Sequence, residues 1–455
     1  LVSHRRLLGR GQRSEGLPEP GGGQDVASDP DLTVQVLGRV VGAEVRAVAP
    51  ERAVLHERGY PPHHPQMMLG LLLYGYCVGV PSSRKIERKT HEDVAFRVVA
   101  GGTHPDHSCI ADFRAGHREA FAEIFGQVLK LCMKAKLVKL GHIALDGTKM
   151  KANASKHKAM SYDRMKKQEA ELAAKMEELL RSAEAADAQE DRRHGQGKHG
   201  NELPEDLRHA ETRLARIRAA KTELEAEAKA QAAADKKSDD DNAPPAGGSA
   251  PLPKHRIPRE GDDAPTPKAQ RNFTDPESRI QKTGDGFIQG YNCQAAVDAE
   301  HQIIVAEAVT NQPPDVEHFA PMLERVVENC GAVPQAVSAD SGYFSEKNVA
   351  AAEALGIDPH IATGRQKRGE PAPTPPRGRP PAALTPKQKM TRKLLTRAGK
   401  AIYSRRKVIA EPPFGQIKQA RGLRQFLMRG VAKVRSEWSL ICMTHNLLKL
   451  HGAKV

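Results

Sequence analysis

The sequence predicts an α/β fold: a mixed sheet with flanking helices, interrupted by a helical hairpin and linker, and preceded by an all-α N-terminal domain. Three observations carry that reading. Short, mostly apolar runs end in a carboxylate twice, Ile143 to Leu145 before Asp146 and Ala336 to Ala339 before Asp340, each followed closely by glycine. Runs of that length bounded by turn residues read as buried strands. Residues 287–298 and 302–309 are β-rich and joined by Ala299, Glu300 and His301, which reads as a hairpin. Residues 156–234 are instead dominated by Ala, Glu, Lys, Arg and Leu, a helical composition set between the first strand and the others.

Composition narrows the function classes. The 455 residues carry 70 Lys and Arg against 56 Asp and Glu, a net charge of +14, so a polyanionic partner is expected. Six scattered cysteines without a CxxC pair argue against a disulfide scaffold and fit a reducing cytoplasm. The longest apolar stretch, Met67 to Val80, is interrupted by glycines and too short for a bilayer, and no signal peptide is visible. No membrane partner is therefore expected.

Residues 1–57 read as an irregular or disordered leader. Residues 58–139 read as a helical DNA-binding domain: a rigid Pro61 to Pro65 start, a buried helix from Met67, and a basic helix capped near Ser82 that carries Arg84 and Lys85. A small bundle whose basic residues are merely solvated fits the same pattern. Asp106 or Ser108 can cap a further helix, and Glu119 to Lys136 is amphipathic. His104, His107 and Cys109 lack a second pair of ligands at fixed spacing and are not read as a metal site.

Residues 140–155 and 285–425 make up the α/β domain. In the 156–234 insertion, Met165, Leu172, Met176 and Leu179 mark one apolar stripe and Leu207, Leu214, Ile217 and Leu224 another, as in a helical hairpin. Residues 235–284 read as a disordered linker, and 426–455 as a C-terminal packing helix in which His445 is structural. Between 363 and 410, 14 Lys or Arg face a single acid, Glu370. Glu411 then stands as an isolated carboxylate beside that basic run, either screened on the surface or placed for a metal on a DNA-binding face.

Asp146-Gly147-Thr148-Lys149, Ala339-Asp340-Ser341-Gly342-Tyr343 and Glu411-Pro412-Pro413-Phe414, with Lys418 seven residues after Glu411, together resemble the insertion-sequence transposases that carry an Asp-Asp-Glu triad on an RNase H-like fold. The likeness is nearest to the group numbered eleven eighty-two, whose N-terminal domain resembles Met67 to Arg88, and it spans roughly residues 58–160 and 285–450. The resemblance implies that Asp146, Asp340 and Glu411 are the catalytic, metal-holding triad. It further implies that Lys418, Lys407, Arg406, Arg405 and Tyr403 lie against transposon-end DNA, as part of a Tyr-Arg-Glu-Lys signature in which Tyr403 sits one residue further out than the pattern. Its partners would be the terminal inverted repeats and target DNA, with a homo-oligomer forming on DNA in the nucleoid.

Residue chemistry agrees with that expectation. In-line displacement at a phosphodiester leaves charge on the attacking and departing oxygens, which two divalent cations about 4 Å apart can stabilise. Hard cations take carboxylate oxygens, so Mg2+ is expected, with Mn2+ as a substitute. Two other readings fit the same sequence: an RNase H-like nuclease that cuts without joining, and a transposase-derived DNA-binding protein without catalysis.

Overall fold

The computed structural model describes residues 63–194, 205–240, 264–284, 286–364, 378, 381 and 383–453. The expected leader, 1–57, and much of the Pro-rich basic segment, 365–377, lie outside the described residues, as does the bend of the helical insertion.

Among the described residues five helices come first: α1 (Pro65–Cys77), α2 (Ser83–Glu92), α3 (Val94–Val99), α4 (His107–Gly116) and α5 (Arg118–Lys134). Pro65 starts α1, where its missing N–H is no loss. The helix is apolar on every side and accordingly buried from Met68 to Cys77. Asp93 and Asp106 cap α3 and α4, accepting from Ala95 N–H and Ser108 N–H at 3.0 and 2.7 Å. Ser82 precedes α2, but its side chain makes no capping bond, unlike the expectation.

The main sheet has β5 (Gly286–Asp298) as its spine. Antiparallel to it run β1 (His142–Lys151), β4 (Arg279–Thr283) and β6 (Ile304–Thr310). Beyond β1 follow two parallel strands, β7 (Ala336–Ala339) and β8 (Asp358–Ile361). This mixed order is consistent with the RNase H-like arrangement expected. Helices α8 (Phe319–Cys330) and α9 (Glu346–Ala354) follow β6 and β7. The β5–β6 hairpin forms as the sequence predicts.

Two short strands correct the linker expected over 235–284. β3 (Gln270–Asn272) pairs with β2 (Ala159–Ser161) beneath the hairpin, and β4 extends the main sheet. The hairpin itself is α6 (Tyr162–His194) and α7 (Glu205–Asp240), the second helix running six residues past the expected boundary at 234. Met165, Ile217 and Leu224 form its own small core with Tyr162. Arg271 on β3 binds Glu223 and Glu227 of α7 at 2.5 Å each, tying the hairpin to its base.

Downstream come α10 (Pro386–Leu395), α11 (Arg397–Ser404), α12 (Arg406–Gly415), a π-helical turn from Gln416 to Ala420, and α13 (Val431–Gly452). Although expected as a separate packing helix, α13 lies inside the molecule, between β6 on one side and α1 and α5 on the other. The N-terminal helices and the sheet thus share one apolar core. Buried polar groups lock that junction. Glu437 of α13 accepts from Tyr76 Oη at 3.0 Å and from the N–H groups of Leu427 and Met428. Arg421 donates to Thr444 Oγ1 at 2.7 Å and to the carbonyls of Ile441 and Tyr76. A buried guanidinium without such partners would be strongly destabilising.

His445 is structural, as the sequence suggests. Its Nε2 donates to the Gln302 carbonyl at 2.9 Å, and Nδ1 faces the Gln416 side-chain amide at 2.7 Å. Burial pulls its pKa down to about 3, and burial, then Arg405 and His360, pulls His142 down to about 4. Both rings ionise near 6.5 in the unfolded chain, so between that value and their folded values the fold binds fewer protons. Stability is therefore full above pH 6.5 and falls on acidification, by about 1.4 kcal/mol per pH unit for each ring. Denaturant midpoints at pH 7.5 and 5.5 should show the loss, and His445→Gln should flatten the dependence. An unchanged slope in the variant would refute the assignment.

Candidate active site

The parallel pairing of β1 and β7 brings the two aspartates together. Leu145 pairs with Ala339, so Asp146 and Asp340 follow in register on strands about 5 Å apart. The sequence predicts that the first strand ends at Asp146. Instead β1 runs on to Lys151 because β5 pairs with it as far as Gly290. It is β7 that stops at Ala339, where Asp340 begins a tight turn and accepts from Gly342 N–H at 2.8 Å. Asp146 therefore sits beside the point where its parallel neighbour leaves the sheet.

Asp146 is mostly buried. Its Oδ1 accepts from Gly147 N–H at 2.9 Å and its Oδ2 from Arg406 Nη1 at 3.0 Å. Burial pushes its carboxyl above the usual aspartate range; Arg406 and the Gly147 N–H pull it down, and Asp340 pushes it up again.

A third carboxylate, Asp315, stands at the same place and has no signal in the sequence beyond a Pro-Pro-Asp loop. Its Oδ1 accepts from Asn292 Nδ2 at 2.7 Å, Gln294 Nε2 at 2.9 Å and Lys149 Nζ at 3.3 Å. Tyr343, whose hydroxyl bonds the Gln294 side chain, is held far above the normal phenol range by burial and then by Asp315, Asp146 and Asp340. The packing leaves no room for side chains at the two glycines. A Cβ at Gly147 would lie 2.8 Å from Gln294 Nε2 and 3.2 Å from both Asp315 Oδ1 and Tyr343 Oη; one at Gly342 would lie 3.0 Å from Asp340 Oδ1.

Helix α12 packs across β1 and β5 through Ile409, Ala410, Pro413 and Phe414. Pro412 lies inside this helix and offers no N–H to the Val408 carbonyl four residues back. Gln302 Nε2 supplies that bond at 2.9 Å. Glu411 is exposed on this helix, with no hydrogen bond or ion pair to any described residue. Lys418, in the π-helical turn, donates to Thr148 Oγ1 at 2.5 Å and to the Lys149 carbonyl at 2.8 Å, so it docks on β1 next to Asp146. Arg406 likewise turns inward. Arg405 and Lys407 are exposed beside it, Tyr403 is half-buried, and Arg84 and Lys85 are exposed on α2.

The structure thus brings Asp146, Asp340 and Arg406 together, while Glu411 is not within a shared ligand distance of the aspartates. Among the described residues, the one set of three His, Cys, Asp or Glu ligand atoms lying within 4.8 Å of one another is Glu87, Asp106 and His107. That set is accounted for by ion pairs of His107 at 3.0 and 3.2 Å with the two acids. The donors at Asp146 and Asp340 are hard oxygens, which fit a hard divalent cation better than a soft one.

A mixed sheet presenting paired aspartates beside a strongly basic helical run is an arrangement suited to phosphoryl transfer on a polynucleotide. Residues 256–447 match the family model described as a transposase DDE domain, and residues 27–116 match the transposase domain DUF772. Together they cover more than half of the chain, which is a DDE-type DNA transposase, a metal-dependent enzyme of DNA cleavage and transfer. Asp340 and Glu411 lie inside the first match and Asp146 before it; Arg84 and Lys85 lie inside the second. No curated protein and no solved structure matches the chain. No helix among the described residues is long and apolar enough to cross a membrane.

Two substitutions probe the packing of the site. Gly147→Ala should cost about 1–3 kcal/mol of stability, because the new methyl meets Gln294, Asp315 and Tyr343 together. Wild-type stability in a denaturant melt would contradict this. Asp315→Ala should cost about 1–3 kcal/mol by removing the acceptor that Asn292, Gln294 and Lys149 share, leaving them the Gln312 and Pro313 carbonyls and Asn292 Oδ1. A melt within error of wild type would show that water replaces the carboxylate.

Proposed function

We propose that this transposase belongs to the insertion-sequence group numbered eleven eighty-two, cleaves at terminal inverted repeats and joins the 3′ ends to target DNA. Asp146, Asp340 and Glu411 are its catalytic carboxylates. The observation that supports this most is the register of β1 and β7, which sets Asp146 and Asp340 side by side beneath a helix bearing Glu411. Asp146, Asp340 and Glu411 would hold Mg2+ (or Mn2+), which would supply Lewis-acid stabilisation of charge on the attacking and departing oxygens. The chain's own residues do the rest. Asp146 and Asp340 offer oxygens from paired strands, and α12 carries Glu411 over the sheet. Arg84, Lys85, Arg405 and Lys407 are exposed for phosphate contacts, with Tyr403, Arg406 and Lys418 flanking the scissile region. Phosphate contacts fix the position of the duplex and make affinity steeply salt-dependent. Two ends must be held for joining, so a homo-oligomer forms on DNA and works in the nucleoid.

With purified protein, end-containing DNA and Mg2+, Asp146→Asn, Asp340→Asn and Glu411→Gln should each reduce nicking by about 10²-fold or more while end binding persists. Full nicking by Glu411→Gln would remove that residue from the triad. Hydrolysis without strand-transfer products would favour a plain nuclease, and binding without any cleavage a catalytically silent DNA-binding protein. Lys407→Ala should lower the slope of log affinity against log salt by about 1. An unchanged slope would place Lys407 off the DNA.

A further inference from the structure

Three consecutive cations, Arg405, Arg406 and Lys407, begin α12, and only the middle one turns inward. It spends its charge on Asp146: Nη1 lies 3.0 Å from Oδ2, and the two side chains are only 11% and 16% exposed. The other oxygen, Oδ1, is taken by Gly147 N–H at 2.9 Å. Each oxygen of Asp146 thus has a partner before any cation arrives. A metal ion at Oδ2 would stand beside the guanidinium's positive charge in a mostly buried site, where like charges repel strongly, so the guanidinium weakens metal binding there. Arginine cannot leave by losing its proton, since it remains charged throughout the working pH range. It leaves only for another anion, and a planar guanidinium fits a phosphate in the same bidentate way it fits a carboxylate. The exposed Arg405 and Lys407 on either side are positioned to draw a phosphodiester to that point.

We infer that Arg406 and a divalent cation compete for Asp146, and that DNA phosphate draws Arg406 away, so that the metal site fills when DNA is bound. The inference rests on the reading of Asp146 as a metal ligand. Arg406 is a positioning residue with two alternative partners, and the coupling makes the DNA-free protein a poor binder of the ion it needs. Because coupling is reciprocal, the ion strengthens DNA binding by the factor by which DNA strengthens ion binding.

The test measures Mn2+ affinity of the full chain from the electron paramagnetic resonance of free Mn2+, with and without double-stranded DNA of mixed sequence. Without DNA, Arg406→Gln should bind Mn2+ at least about fivefold more tightly than wild type, the low end of typical coupling between sites. Arg406→Lys, which keeps the charge, should stay near wild type. DNA should tighten Mn2+ binding to the wild type and leave Arg406→Gln unchanged. Equal or weaker Mn2+ binding by a folded Arg406→Gln, or equal tightening of both proteins by DNA, overturns the competition. Thermal melting establishes that the variant is folded, and should it not fold, Arg406→Lys with DNA still decides: failure of DNA to tighten its Mn2+ binding counts against the inference. Asp146→Asn separates the two levels. If it weakens Mn2+ binding while Arg406→Gln behaves as wild type, the competition alone fails; if it leaves Mn2+ binding intact, the metal-ligand reading fails with it.

Discussion

The register between β1 and β7 is the constraint on which the site depends. Side chains alternate faces along a strand, so a slip of one residue would turn Asp146 away and present Leu145 instead. Several bonds prevent that slip. His142 Nε2 meets Ser338 Oγ at 2.9 Å across the two strands. Asp298, at the end of β5, accepts from the N–H groups of Lys139 and Leu140 at 3.2 and 2.9 Å and so fixes where β1 begins. Ile143 and Leu145 are fully buried, and their fit into the core penalises any other alignment. The two aspartates inherit their spacing from these contacts rather than from any contact of their own.

Charge is arranged around that fixed pair in layers. Nearest are polar groups on rigid strands, with Asn292, Gln294 and Lys149 converging on Asp315 and the Tyr343 hydroxyl closing the back. Next are the inward cations, Arg406 on a carboxylate and Lys418 on the neutral oxygens of β1. Outermost are the exposed Arg405 and Lys407, free to meet a polyanion. Glu411 belongs to this outer layer, on a helix that lies over the sheet and makes no strand pairing with it. The aspartates are held by backbone ladders, whereas the helix of the glutamate is held by side chains: the stack of Phe414 on Trp438 at 6.5 Å, the Gln302 bond to the Val408 carbonyl and the Arg406–Asp146 pair. One half of the site is fixed by strand pairing and the other by side-chain contacts.

The strand-paired half is the more legible. An apolar run ending in Asp marks a buried strand, and Asp146 and Asp340 each follow such a run. What could not be read was where each strand stops. Thr148 to Lys151 are mainly polar and resemble a loop, yet they continue β1 because β5 lies alongside. Asp315 was missed for a related reason: its three partners come from two strands and meet it only once their register is known. β3 and β4 are short, polar and preceded by low-complexity sequence, so the sequence reads as linker there. Pro412 and Pro413 lie inside α12, and the distant Gln302 side chain takes the Val408 carbonyl that Pro412 leaves without a donor. The apolar periodicity of α13 was plain, but a pattern of period 3.6 does not say which distant surfaces will enclose it.

That enclosure matters while the chain is being made. Helices α1 and α5 complete their packing only when α13 arrives, more than 350 residues after the end of α1. At about 5–20 residues per second, that delay is roughly 20–70 seconds. Throughout it the N-terminal helices lack the apolar partner that α13 supplies, so they reach their final packing only after every strand of the main sheet has been synthesised.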